Sequence, residues 1–159
     1  GLSEAALLAL QNHSLLTGQI ARQMETKDKK KAEEAFLAGA LHEVGWLVKV
    51  NDTVAHGAGL PVDRSLLGAY LLGLWGLPHS IMEAVAYHKE PHLLAHPAFE
   101  LVDMIYIADH LATEMGAKGT AEQELDLAYL ARVGIDETQL SGIRAAATEA
   151  ARTTEGDSA

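Results

Sequence analysis

Apolar residues recur at helical spacing along most of the chain, and no stretch alternates as a half-buried strand would. In the first segment Ala6, Ala9, His13, Leu16, Ile20 and Met24 fall three or four residues apart and share one side. The pattern predicts a helix from about Ser3 to Met24, then the polar stretch Glu25 to Lys31. A second helix runs from about Lys31 through Leu41 to Val50, with a bend expected at Gly45. After a loop holding Gly57, Gly59 and Pro61, Asp63 caps a third helix that reaches Trp75 and stops at Gly76. Pro78 opens a fourth, ending near His88. Pro91 and Pro97 bracket a loop before the longest amphipathic helix, Pro97 to Met115. Thr120 to Leu130 reads as helical and is broken at Gly134, and Asp136 caps a last helix through about Arg152. The expected architecture is an all-α bundle of six to seven helices over residues 1–152, with a frayed tail over 153–159.

Polar groups interrupt this pattern at four places. His13 lies on the apolar side of the first helix, and His42 follows Ala35 and Ala38 at helical spacing. His88 continues Ile81, Ala84 and Val85, while Asp109 shares a stripe with Leu101, Ile105, Ala108, Ala112 and Met115. A polar or charged group on a buried face costs several kcal/mol unless it is paired, hydrogen-bonded or metal-bound. Four of them, with Glu43 directly after His42, predict one site assembled inside the bundle. Histidine and carboxylate donors suit Mn, Fe or Zn. Neighbouring helices must close around the His42–Glu43 pair, and the small residues Ala38, Gly39, Ala40 and Gly45 permit that approach. Two readings stand side by side: one divalent ion, or a metal-free network in which Asp109 or Glu43 satisfies His13 and His88. Trp46, Tyr70, Trp75 and Tyr106 read as core packing. His56, His79, His92, His96 and His110 flank loops or exposed faces and carry no argument.

Composition narrows the function classes. A chain of 159 residues supports one domain, and an aromatic content of 5% favours helix-on-helix packing. No apolar run is long enough to span a membrane, and the opening lacks the basic and apolar regions of a signal peptide. The absence of cysteine excludes disulfides and thiolate metal sites, and agrees with a cytoplasmic location. A net charge of -10 argues against a nucleic-acid partner. The one basic cluster, Lys27 and Lys29 to Lys31, lies beside Asp28, Glu33 and Glu34 and reads as a solvated turn. There is no phosphate loop, no GxSxG elbow and no HExxH helix, since Trp46 stands where the second histidine would be.

The order His13, His42-Glu43, Asp109 resembles the H…HD…D signature of the HD phosphohydrolase superfamily. The stretches "EEAFLAGALHEVGWLV", "LLGAYLLGLWGLPHSIMEAVAYHKEP" and "LVDMIYIADHLA" are similar to its HDOD (HD-related output) branch, over about Gln11 to Ala112. That resemblance implies an HD-like bundle serving as a bacterial signalling module, often behind a receiver or sensor domain in response regulators, without established catalysis. It implies metal ligands at His13, His42, Glu43 and Asp109, with His88, Arg64 and Lys89 as further ligands or supporting contacts. The chain departs from the catalytic pattern at Glu43, whose extra methylene moves the carboxylate by roughly 1.5 Å from an aspartate's place. Arg64 and Lys89 stand where some relatives carry further histidines, and their charge disfavours a second ion. A typical HDOD domain also has a helical half before the segment matching His13. The chain therefore reads as the C-terminal part of a longer domain, whose bare face an oligomer or partner domain would cover.

The expectation is a non-catalytic output module that works through protein partners, holds at most one divalent ion, and touches neither nucleic acid nor membrane. The alternative is a metal-dependent phosphohydrolase acting on a nucleotide or phosphodiester, and a third reading is a nucleotide sensor that binds without cleaving.

Overall fold

The computed structural model describes residues 2–49, 62–116 and 124–156. Among them every regular element is helical: α1 (Glu4–Met24), α2 (Lys29–Leu41), α3 (Arg64–Leu74), α4 (His79–Tyr87), α5 (Leu101–Met115), α6 (Leu127–Arg132) and α7 (Glu137–Gly156). Short 3-10 turns at Val44–Leu47 and Pro91–Leu93 complete the order. The loop predicted around Gly57 lies outside the described residues, as does the start of the helix predicted from Thr120. No described helix is long and apolar enough to cross a membrane.

The local chemistry explains most boundaries. Ser3, Asp28 and Asp63 each accept backbone N–H groups of the first turn that follows. α3 ends in a Schellman motif: Leu77 N–H bonds Leu72 O at 3.0 Å, and Gly76 takes the left-handed conformation at φ +76°. α5 begins at Leu101 rather than at Pro97, because Asp103 reaches back to the Glu100 N–H at 2.9 Å and fixes the start there. α6 begins only at Leu127, where Asp126 caps the Tyr129 N–H, and α7 continues to Gly156.

The second helix departs most from its periodicity. It stops at Leu41, with His42 as its cap, and the predicted bend is a change to 3-10 geometry. The cause is tertiary. A Cβ built on Gly45 would lie 1.9 Å from Arg64 O, so this turn sits on the backbone of α3. A Cβ on Gly39 would lie 2.6 Å from Gly18 Cα, so α1 and α2 touch backbone to backbone.

α5 is the central element, packed against α1, α2, α4 and α7. Val102, Asp103, Ile105, Ile107, Ala108, Leu111 and Ala112 of this helix are buried, and Ile20, Leu72, Ile81 and Leu130 close around them. Trp46, Tyr70 and Trp75 do not join this core. They stand on the surface, 43%, 64% and 60% exposed, because α3 turns Ser65, Gly68, Ala69 and Leu72 inward and Leu66, Tyr70 and Leu74 outward. Tyr106 does pack against the core, and its hydroxyl accepts the Asp126 N–H.

Candidate metal centre

α5 carries Asp109 to the centre of the bundle, and three histidines from three other helices meet it. His13 projects from the middle of α1, and its Nε2 lies 2.8 Å from Asp109 Oδ1. His42, at the end of α2, places Nε2 3.3 Å from the same oxygen. His88, at the end of α4, places Nε2 3.9 Å from Oδ2. The rings of His13 and His42 are 5.3 Å apart, and those of His42 and His88 are 5.0 Å apart.

Helix termination orients two of these rings. The last carbonyls of a helix lack intrahelical partners. His42 Nδ1 lies 2.6 Å from Gly39 O, and His88 Nδ1 lies 2.8 Å from Val85 O, each three residues back. A carbonyl only accepts, so both Nδ1 atoms carry protons and both Nε2 atoms face the site. Such backbone acceptors are the usual orienting partners of metal-bound imidazoles. Gly39 thus serves twice, as the contact with α1 and as the anchor for His42.

The electrostatics follow from burial and pairing. His42 and His88 are each 1% exposed, whereas the side chains of His13 and Asp109 are 21% and 22% exposed and open the site to solvent. Burial alone raises the Asp109 pKa, but hydrogen bonds from His13 and His42 overrule it and hold the carboxyl well below its ordinary range. Burial likewise disfavours the charged form of His42. The hydrogen bond and charge of Asp109, with the nearby charge of Glu43, nevertheless hold its pKa above the ordinary value. Burial, then the charge of His42, push His88 down to about 4.

Donor atoms of His13, His42 and Asp109 all lie within 4.8 Å of one another. Two imidazole nitrogens and a carboxylate oxygen fit a divalent first-row ion, and the unpartnered buried Nε2 of His88 points to a further electron-pair acceptor at the same place. Neither Glu43 nor His88 is part of this close set: His88 Nε2 stands 3.9 Å from Asp109 Oδ2, and the influence of Glu43 on His42 is one of charge. Arg64 is placed elsewhere: it donates to Gly45 O at 3.2 Å and Val48 O at 2.9 Å and stacks on Trp46. Lys89 is exposed and reaches His88 only through its charge.

A second buried network lies outside these residues. Asp103, fully buried, accepts from Tyr129 Oη at 2.5 Å and from His96 Nε2 at 2.9 Å. His96 Nδ1 bonds Leu94 O at 3.0 Å. By sequence His96 is a loop histidine without a role, whereas the structure ties it to this network. The available signal was Asp103 itself, which precedes Ile107 and Leu111 by four and eight residues on the buried side of α5.

A helical bundle with a histidine–aspartate cluster at its centre defines the class, an HD-type domain. A family model, the HDOD domain, matches residues 3–91, and the chain belongs to that family. The match contains His13, His42 and His88, while Asp109 lies beyond it. No curated protein and no solved structure gives a match. The chain is therefore an output-type module related to the HD superfamily.

Proposed function

We propose that this chain is a non-catalytic regulatory module of bacterial signal transduction, acting through protein–protein contacts and switched by an upstream receiver or sensor domain. One observation carries the reading. Leu66, Tyr70 and Leu74, at successive turns of α3, stand 50%, 64% and 65% exposed, with Trp75 beyond them. Arg64 ties this row to Trp46, which is itself exposed. A row of large apolar side chains on one outer helix face marks an interaction surface. The same row is linked to the buried cluster, since Arg64 holds the turn that follows His42 and Glu43. The cluster then acts as a polar node that fixes one arrangement of α1, α2, α4 and α5.

The alternative, a metal-dependent phosphohydrolase, draws support from the close donor set of His13, His42 and Asp109. Against it, the Arg64 guanidinium, a cation that could otherwise meet a phosphate, is engaged with the Gly45 and Val48 carbonyls, and Glu43 is not in the close donor set.

A panel of nucleotides and phosphodiesters, assayed with Mn, Fe or Zn supplied, decides between them. The regulatory reading expects no turnover by the unaltered chain and none gained by Glu43→Asp. Turnover that His42→Ala abolishes while the fold survives, or activity gained by Glu43→Asp, would overturn it.

A further inference from the structure

His88 poses a problem that the network around Asp109 does not solve. Its side chain is 1% exposed, and Nε2 is the one buried side-chain nitrogen or oxygen without a hydrogen-bond partner among the described residues. Leaving such an atom unpaired forfeits its hydration with nothing in return. The nearest acceptor, Asp109 Oδ2, is 3.9 Å away, too far for a hydrogen bond. A ring flip gives no relief, because Nδ1 already donates to Val85 O. The tautomer is therefore set, and a lone pair on Nε2 points at the carboxylate.

His42 repeats this arrangement on another helix, with Nδ1 held by Gly39 O and Nε2 turned to Asp109. Two helices that each end on a histidine, anchored three residues back and aimed at one carboxylate, have a shared geometric purpose. Among the described residues no hydrogen bond or ion pair joins the Glu43 side chain to the cluster, and it acts on His42 through its charge alone.

We propose that His88 is a protein ligand of a single divalent transition ion, completing a three-histidine, one-aspartate set with His13, His42 and Asp109, and that Glu43 is not a ligand. Three imidazoles and one carboxylate favour Zn or Fe over Mg or Ca, which prefer oxygen donors throughout. The exposed edges of His13 and Asp109 give the ion its way in. The inference deepens the regulatory reading, since the ion would fasten the four helices that the node holds together. It does not depend on that reading, because metal binding is measured without reference to any partner or substrate.

The test uses the whole chain, freed of metal and titrated with Zn²⁺ or Co²⁺. Expected are one ion per chain and, by X-ray absorption at the zinc edge, three imidazoles around it. His88→Gln should weaken zinc binding by more than the roughly 10–100-fold loss typical of a supporting residue, and should change the visible spectrum of the cobalt form. Glu43→Gln should retain one ion with three imidazoles around it and leave the cobalt spectrum as it was. Two imidazoles in the unaltered protein would overturn the proposal, and that measurement does not rely on any variant folding. So would no zinc uptake, an unchanged His88→Gln spectrum, or metal lost in Glu43→Gln, and a buried water on Nε2 would then account for the orphaned nitrogen.

Discussion

His96 has a hydrogen-bond acceptor at each ring nitrogen: Leu94 O faces Nδ1, and an Asp103 carboxylate oxygen faces Nε2. A neutral imidazole carries one proton and satisfies only one of them. The groups around it are Asp103 and Glu100 at the start of α5, the Tyr129 hydroxyl from α6, and Arg132 stacked over Tyr129. Burial alone lowers the His96 pKa, but Asp103 and the Leu94 carbonyl overrule it, and the pKa stands above its ordinary value of 6.5. A histidine whose pKa rises on folding stabilises the fold fully below about 6.5, and that contribution fades as pH climbs through the raised folded value. Stability of the native chain to urea should therefore fall on the alkaline side of neutrality, by on the order of 1.5–3 kcal/mol for a charge-assisted bond. His96→Gln should be less stable at pH 6 and lack that alkaline decline. An identical decline in the variant would assign it to another group. This network was illegible in the sequence for a plain reason. His96 follows a proline-bounded loop with no periodicity, and only its packing against α5 and α6 buries it. The four members of the central cluster were legible, because each interrupts an apolar helical stripe.

At the scale of elements, close backbone contact decides where the helices stop and how near they come. The sequence carries apolar residues on from Leu41 to Val48, with no proline to end the helix and a bend expected only at Gly45. The helix nevertheless ends at Leu41, because the turn at Gly45 seats directly on α3. Periodicity describes one helix at a time and does not encode that neighbour. It predicted the capped ends well, at Asp63 and Gly76, where the stop signal is local. It also took Trp46, Tyr70 and Trp75 for core, since an apolar stripe looks the same whether it meets the interior or a partner. Gly39 gives the sharpest test of the contact argument. Alanine is the better helix former by about 1 kcal/mol, so Gly39→Ala would stabilise an isolated α2. Here its Cβ would sit 2.6 Å from the backbone of Gly18, and α1 must move away. We expect a net loss of about 1–3 kcal/mol, the usual cost of overpacking, together with a displaced His42. Chemical denaturation of Gly39→Ala measures the first, and the histidine resonances in NMR spectra report the second. A variant as stable as the parent, with unshifted His13 and His42 resonances, would show that α1 and α2 are not in backbone contact.

For the whole molecule, two opposed surface properties meet. The net charge of -10 repels copies of the chain from one another, while the α3 row and the exposed Leu7, Leu8 and Leu15 of α1 favour contact. Salt separates the two effects. The repulsion acts over a Debye length of about 30 Å at 0.01 M salt, which shrinks to about 3 Å at 1 M. Burial of apolar surface is not screened in this way, and strongly hydrated salts reinforce it. Sedimentation velocity should therefore find less self-association at low salt than at high salt. Tyr70→Glu with Leu74→Glu should suppress the increase, because two carboxylates would then occupy the middle of the row. Neither side chain supports the core, so thermal unfolding of the double variant should match the parent within about 0.5 kcal/mol, as for exposed substitutions in general. If the parent stays monomeric across the whole salt range, the α3 row is not adhesive toward itself, and the contacts proposed for it must come from a surface that the chain does not itself present. If association grows with salt but ignores the substitutions, the apolar end of α1 is the contact surface instead, and the route from partner to His42 through Arg64 is lost.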